Sequence, residues 1–244
     1  MVYFIGAGPG DPELITLKAY KILQKCDVVI YAGSLVNKEI LNFTKKDAKI
    51  FDSSKLTLEE IIDIYKKYKE KDIARLHTGD PSIYGAINEQ IYFLEEMNIP
   101  YEIIPGVSSA FAAAAKIKSE LTAPDISQTV IFTRYGKNIP TPENIKELAK
   151  HKSTLIIFLS VNYLSEIVET LKTEYPIDTP VKVVYKATWK DEKIIHGTLE
   201  NITEKAKEIK NTALIFVGEV FKKKDTFSKL YDKNFSHKFR KVKP

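Results

Sequence analysis

A chain of 244 residues in which 44% are apolar has enough nonpolar surface for one large domain or two compact ones, which excludes a disordered chain. A single cysteine, Cys26, excludes an intramolecular disulfide and a cysteine cluster for zinc or iron–sulfur; the scattered His77, His151, His196 and His237 lack metal-site spacing, so no protein-ligated metal is expected. The net charge of +5 is uneven: from Lys222 to Pro244, nine Lys and Arg stand against Asp225 and Asp232, so the surplus sits in the last stretch and the rest is slightly acidic.

Apolar, β-branched runs alternate with amphipathic patterns along the chain, which predicts an α/β protein with largely parallel sheets. No run of about 18 apolar residues occurs and Met1 opens directly into the strand-like "VYFIGAG", so the expectation is a soluble cytoplasmic protein without a membrane partner. Strands are expected near 2–6, 27–31, 48–51, 73–77 and 101–104. Between them Ile15, Ala19, Ile22, Leu23 and Cys26 recur on one helical face. Thr57 and Glu60 form a capping-box pattern ahead of an inward stripe of Leu58, Ile61, Ile62, Tyr65 and Tyr68. After Asp80, which suits a helix cap with Pro81 in the first turn, a helix is expected to bury Ile83, Ile87, Ile91 and Leu94. A charged, Pro-containing connection near 116–127 marks a domain boundary, giving domains 1–117 and 118–221 and a basic tail 222–244. Strands resume near 128–133, 154–159, 181–187 and 213–219, with a helix burying Leu164, Ile167, Val168 and Leu171. "KATWKDEKIIHGTL" reads as a hairpin, so the second sheet is expected to be mixed.

The chemistry-bearing stretches are strand-end loops. In "FIGAGPGDPELIT", Gly6, Gly8 and Gly10 follow a strand, but Asp11 stands where a dinucleotide fingerprint needs its third glycine, and no acidic residue closes strand two. A nucleotide-dependent oxidoreductase is therefore disfavoured. Pro9 between Gly8 and Gly10 makes a stiff, thin loop that suits a flat substrate. "YAGSLV", "HTGDPSIYG", "IPGVSSAF" and "IFLSVNY" repeat the theme, with Ser34, Ser82, Ser108, Ser109 and Ser160. A single serine in such a loop is ordinarily a cap or turn residue, whereas several on the carboxyl edge of a sheet can converge on one cleft. No nucleophile elbow or partnered base accompanies them, which points to binding rather than covalent catalysis.

Taken together, "GAGPGDPELIT", "YAGSLV", "HTGDPSIYGAINEQ", "PGVSSAFAAAA", "ELTAPDISQTVIFTR" and "LYDKNFSHKFR" resemble the tetrapyrrole methylases, and within them the branch that methylates precorrin-4 or cobalt-precorrin-4 at carbon 11 in cobalamin synthesis. The resemblance runs over essentially the whole chain. It implies two α/β domains enclosing S-adenosylmethionine in a cleft between them, usually in a homodimer. Carried over by motif, it implies donor contacts from Pro9, Thr78, Gly79, Asp80, Ile83, Ser108 and Ser109. Leu159, Ala187, Thr212 and Ala213 are the matching positions in the second half. No catalytic base carries over: uroporphyrinogen-type relatives have an acidic residue after strand two, where this chain has Ala32, Gly33 and Ser34. After "TR" the branch often reads Gly-Arg-Thr, whereas Lys137 and Asn138 stand here, and a lysine lacks arginine's bidentate fork.

A corrin precursor carries many carboxylates, so Arg134, Lys137, His237, Lys238 and Arg240 are candidate anchors beside Gly8, Gly10 and Ser34. The interleaved Phe227, Tyr231, Phe235 and Phe239 favour a docked tail. Rival readings are a sister methylase acting at another ring position, on RNA or on a diphthine precursor, and a non-catalytic tetrapyrrole carrier. The preferred reading has a small-molecule tetrapyrrole as partner and no nucleic acid.

Overall fold

The computed structural model describes residues 1–222, 227, 228, 230 and 232–241. Two compact units are present, one of Met1–Lys116 with Lys186–Lys193, the other of Ile117–Tyr185 with the described residues from Ile194 on. Both are α/β.

The first unit runs β1 (Val2–Gly6), α1 (Leu17–Leu23), β2 (Val28–Tyr31), β3 (Lys49–Asp52), α2 (Leu58–Lys67), β4 (Ile73–His77), α3 (Asn88–Glu96), β5 (Tyr101–Ile104) and α4 (Ser109–Lys116). Its sheet has the order β3-β2-β4-β1-β5 and every pair is parallel. Strands covered on both faces read as continuous apolar runs, as β2 does; β4 is also buried at every position but carries Arg75 and His77. Alternate residues divide between two cores. Val2, Phe4, Val28 and Ile30 pack with α2 and α3, while Ile5, Val29, Tyr31 and Leu76 pack with α1 and the segment around Ile40. The Thr57–Glu60 capping box forms in both directions and fixes where α2 begins. Helix α1 is shorter than the periodicity suggests. Thr16 caps it by accepting the Ala19 N–H, so Ile15 and Cys26 flank it, and burial pushes the Cys26 thiol up to about 12.

Helix α3 requires a larger correction. It begins at Asn88, seven residues beyond Pro81. Positive φ at Gly79 (+62°), Tyr84 (+55°) and Ala86 (+49°) interrupts the helical path that the apolar spacing from Ile83 suggests. Asp80 is therefore a turn residue, not a helix cap.

In the second unit β6 (Val130–Arg134), α5 (Ile145–Ala149), β7 (Thr154–Phe158), α6 (Leu164–Leu171), β8 (Pro180–Tyr185), β9 (Lys193–Thr198), α7 (Ile202–Lys205) and β10 (Ala213–Val217) follow. The order is β6-β7-β10-β8-β9. β6 and β7 are parallel, whereas β10 is antiparallel to both β7 and β8, so this sheet is mixed. The α6 stripe of Leu164, Ile167, Val168 and Leu171 is buried against Leu155, Ile157, Val183 and Ile215. Among the described residues, no helix is long and apolar enough to cross a membrane.

In the tail, Phe227, Phe235 and Phe239 are exposed rather than docked; Tyr231 lies outside the described residues. Local order there comes from Arg240 instead, whose Nη2 donates to the carbonyls of Leu230, Asp232 and Phe235.

Candidate functional site: glycine loops at the strand ends

In the first sheet β1 lies between β4 and β5, so the loops that leave these strands start side by side. Their glycines meet backbone to backbone. Gly8 and Gly79 exchange hydrogen bonds, Gly79 N–H to Gly8 O at 2.8 Å and Gly8 N–H to Gly79 O at 3.3 Å. A Cβ on Gly106 would lie 2.2 Å from the Gly79 carbonyl oxygen and 2.7 Å from Gly6 Cα, so no side chain fits at that junction. Gly79 also needs its hydrogen side chain for its left-handed φ of +62°. Three strand ends are thereby packed backbone to backbone, with Gly6, Gly8 and Gly79 buried.

Asp80 locks this junction. Its Oδ1 accepts the Ser82 N–H at 2.8 Å and its Oδ2 accepts the Gly106 N–H at 2.9 Å, tying the β4 loop to the β5 loop. Ser108, buried, accepts the Ala110 N–H through Oγ at the start of α4, and Ser109 opens that helix. A Cβ on Gly79 would sit 3.3 Å from Ser109 N and 3.5 Å from Ser108 Cα. The structure thus brings Gly8, Pro9, Thr78, Gly79, Asp80, Ser108 and Ser109 to neighbouring loop positions. Ile83, half-buried, lies in the turn after Asp80.

Ala187 joins the same neighbourhood, since Lys186–Lys193 is part of the first unit and the Ala187 carbonyl oxygen lies 3.0 Å from where a Gly10 Cβ would stand. Beside it, Asn37 Nδ2 donates to the Gly10 carbonyl at 2.8 Å. Ser34 is exposed in the turn after β2. That turn is held by Asp52, which accepts the Gly33 N–H at 3.1 Å and is kept below the ordinary carboxylate range chiefly by its hydrogen bonds from Ser54.

Beneath the β4 loop lies a buried polar strip. Arg75 donates to Gln90 Oε1 at 3.1 Å and Ser53 Oγ at 3.0 Å, and Tyr65 donates to the same Gln90 oxygen at 2.7 Å. Gln90 in turn donates to the Ala86 carbonyl and so braces the strained 84–86 turn. His77 Nε2 is buried without a hydrogen-bond partner. Burial, with the Arg75 charge adding to it, pushes the imidazole down to about 3, so the ring is neutral at neutral pH.

The second unit gathers its own candidates at one sheet end. Continuing the β7–β10 register, which pairs Ile157 with Ile215, sets Leu159 opposite Ala213 with Thr212 next to it. Leu159 and Thr212 both carry positive φ, +54° and +47°, and Leu159 is 57% exposed despite its apolar side chain. Ser160 fixes this corner by accepting the Tyr135 N–H at 2.7 Å and donating to the Phe158 carbonyl.

The basic candidates do not form one cluster. Lys137 pairs with Glu166 at 2.9 Å, Arg134 donates to the Ile139 carbonyl, and His237 and Arg240 exchange backbone hydrogen bonds within the tail. Lys238 stands 5.6 Å from the centre of the Phe239 ring. Sequence reasoning passed over Asn37, Asp52, Gly106, Thr188 and Trp189. Gly106 stands in the quoted "IPGVSSAF" loop, and Trp189 is the sole tryptophan; the other three gave no signal of their own.

Parallel strands ending in interlocked glycine loops, followed by a mixed second sheet, define a family. The signature of the Tetrapyrrole (Corrin/Porphyrin) Methylases matches residues 1–203, and the chain belongs to that family. Within it, the chain is 55% identical to the cobalt-precorrin-4 C(11)-methyltransferase of Methanocaldococcus jannaschii, covering 98% of this chain and 96% of that one. It is 44% identical to the precorrin-4 C(11)-methyltransferase of Pseudomonas aeruginosa, with 98% of each chain covered. Among solved structures, a cobalt precorrin-4 methyltransferase superposes with a TM-score of 0.88 at 42% identity, covering 91% of this chain and 96% of that one. The uroporphyrin-III C-methyltransferase of Thermus thermophilus, complexed with S-adenosyl homocysteine, superposes with a TM-score of 0.76 at 28% identity, covering 91% and 93%.

Proposed function

We propose that this protein transfers a methyl group from S-adenosylmethionine to carbon 11 of precorrin-4 or its cobalt form, as a cytoplasmic homodimer in corrin synthesis. The observation that carries the reading is 55% identity, spread over 98% of the chain, to a cobalt-precorrin-4 C(11)-methyltransferase. The close packing of Gly6, Gly79 and Gly106, where a Cβ on Gly106 would meet the Gly79 carbonyl oxygen at 2.2 Å, supports it by setting the loops that carry Pro9, Thr78 and Ser108 side by side.

When bound, S-adenosylmethionine supplies a methyl group already activated on a sulfonium sulfur, and the electron-rich macrocycle supplies the nucleophilic carbon. The protein's task is then positional. Pro9, Thr78, Gly79, Asp80, Ile83, Ser108, Ser109 and Ala187 hold the donor from the first unit, and Leu159, Thr212 and Ala213 belong to the same assignment. Asp80 acts by fixing the loops that present those groups. Gly8, Gly10 and Ser34 approach the flat ring, and Arg134, Lys137, His237 and Arg240 answer its carboxylates. Orienting two reactants away from water is worth roughly 7–11 kcal/mol of barrier in intramolecular analogues, enough to make a covalent catalyst unnecessary.

The test is titration calorimetry with S-adenosylhomocysteine, followed by mass spectrometry and NMR of the products formed from defined corrin intermediates. Heat of binding and a methyl group added at carbon 11 are expected. Absence of donor binding overturns the reading, and addition at another ring carbon replaces it with a sister activity.

A further inference from the structure

The only tryptophan of the chain sits against the first glycine loop. Trp189 Nε1 donates to the Pro9 carbonyl at 3.0 Å, and its Cδ1 lies 2.2 Å from where a Cβ on Gly10 would be. One residue earlier, Thr188 Oγ1 accepts the Asp11 N–H at 2.9 Å. Two consecutive side chains therefore take up consecutive polar groups of the loop, and the indole fills the space that any side chain at position 10 would need.

Holding them there is costly. Lys186 and Thr188 have φ of +46° and +70°, a strained conformation for a β-branched threonine. Such strain persists only where the surroundings over-determine it, and they do so here. The Thr188 N–H donates to Glu192 Oε2 at 2.6 Å, Trp189 N–H donates to the Lys186 carbonyl, and Lys186 Nζ bonds Asp191 at 2.6 Å while standing 5.3 Å from the centre of the indole. Lys190 reaches Glu39 at 2.5 Å, next to the Asn37 that holds Gly10 from the other direction. A strained turn braced this many times, with its ring set on the thinnest part of a ligand-facing loop, has more than a packing role.

We propose that Trp189 is a positioning residue that clamps the Gly8–Asp11 loop in its donor-competent conformation, with Thr188 as its partner. This rests on the reading of that loop as part of the donor site. Because no other tryptophan contributes, the emission of the full-length protein reports on this one clamp.

The experiment first titrates the wild type with S-adenosylhomocysteine by calorimetry, which tests donor binding by itself, and then follows the same titration by tryptophan emission. A saturable emission change with the calorimetric affinity is expected; unchanged emission at saturation overturns the clamp while leaving donor binding intact. Trp189→Phe, which keeps a ring but loses the N–H donor, is expected to weaken product affinity about tenfold and to raise the KM for the donor more than it lowers kcat. Gly10→Ala should weaken affinity strongly in the wild type and much less in Trp189→Ala, since the two sites are coupled through contact. Equal losses in both backgrounds, or variants that melt lower yet bind donor and turn over as the wild type does, would reduce Trp189 to a packing residue. Should Trp189→Ala fail to fold, the emission titration and Trp189→Phe still decide.

Discussion

Asp80 divides its two carboxylate oxygens between Ser82 and Gly106, so one side chain fixes both the turn after β4 and the loop after β5. Replacing it with alanine leaves two backbone N–H groups without their partner and is expected to cost roughly 1–3 kcal/mol of stability, with a loss of S-adenosylhomocysteine affinity larger than the fall in melting temperature implies. Asparagine keeps one acceptor oxygen and should fall between. Calorimetry and thermal melts on the two variants check this ordering. His77 gives a second expectation. Its folded value lies near 3 against an ordinary value near 6.5, so over that interval the unfolded chain binds the proton and the folded chain does not. Stability is therefore full above about pH 6.5 and falls on acidification, by roughly 2 kcal/mol between pH 7 and 5 at 1.36 kcal/mol per unit. Urea titrations at the two pH values should show that drop in the wild type, and a shallower one in His77→Phe.

At the scale of elements, β2 and the two-way capping box of α2 were readable because they depend on local residues: a continuous apolar run where both faces are covered, and Thr57 three residues before Glu60. The start of α3 was not. Ile83, Ile87, Ile91 and Leu94 have helical spacing, but contacts distant in sequence hold the first turn open: Gly106 N–H on Asp80, and the Arg75–Gln90 pair that fastens Ala86. Tertiary bonds overrode a correct periodicity. The same distance explains the site. Its loops could each be found as glycine-rich strand ends, yet nothing in their spelling says that Gly6, Gly79 and Gly106 meet backbone to backbone. Gly106→Ala is the expected breaking point. With 2.2 Å to the Gly79 carbonyl there is no room for a methyl group, so the loops must part, and both the melting temperature and donor affinity should fall sharply, as scanning calorimetry and binding titrations would show.

For the molecule as a whole, the uneven charge distribution was legible from composition, but its use was not. Lys137 keeps an exposed ion pair with Glu166, whereas Arg240 spends Nη2 on three carbonyls of its own tail. Substrate anchoring should therefore be unequal among the candidates. Lys137→Met is expected to raise the KM for the tetrapyrrole severalfold and leave S-adenosylhomocysteine affinity unchanged, whereas Arg240→Met should first disturb the order of residues 232–240, visible as faster hydrogen exchange there. Despite the net charge of +5, binding to RNA at physiological salt is expected to be negligible; steeply salt-dependent retention on RNA would favour a nucleic-acid methylase instead.

The first unit is assembled from Met1–Lys116 and Lys186–Lys193, which sets an order of events during translation. When the amino-terminal half leaves the ribosome, the indole that belongs on Gly10 has yet to be made; about 70 further residues must follow, several seconds of synthesis at roughly 5–20 residues per second. Until then the Gly8–Asp11 loop lacks its Thr188 and Trp189 contacts, and on the donor-site reading proposed above methyl-donor capture would be a late acquisition, withheld until most of the polypeptide exists.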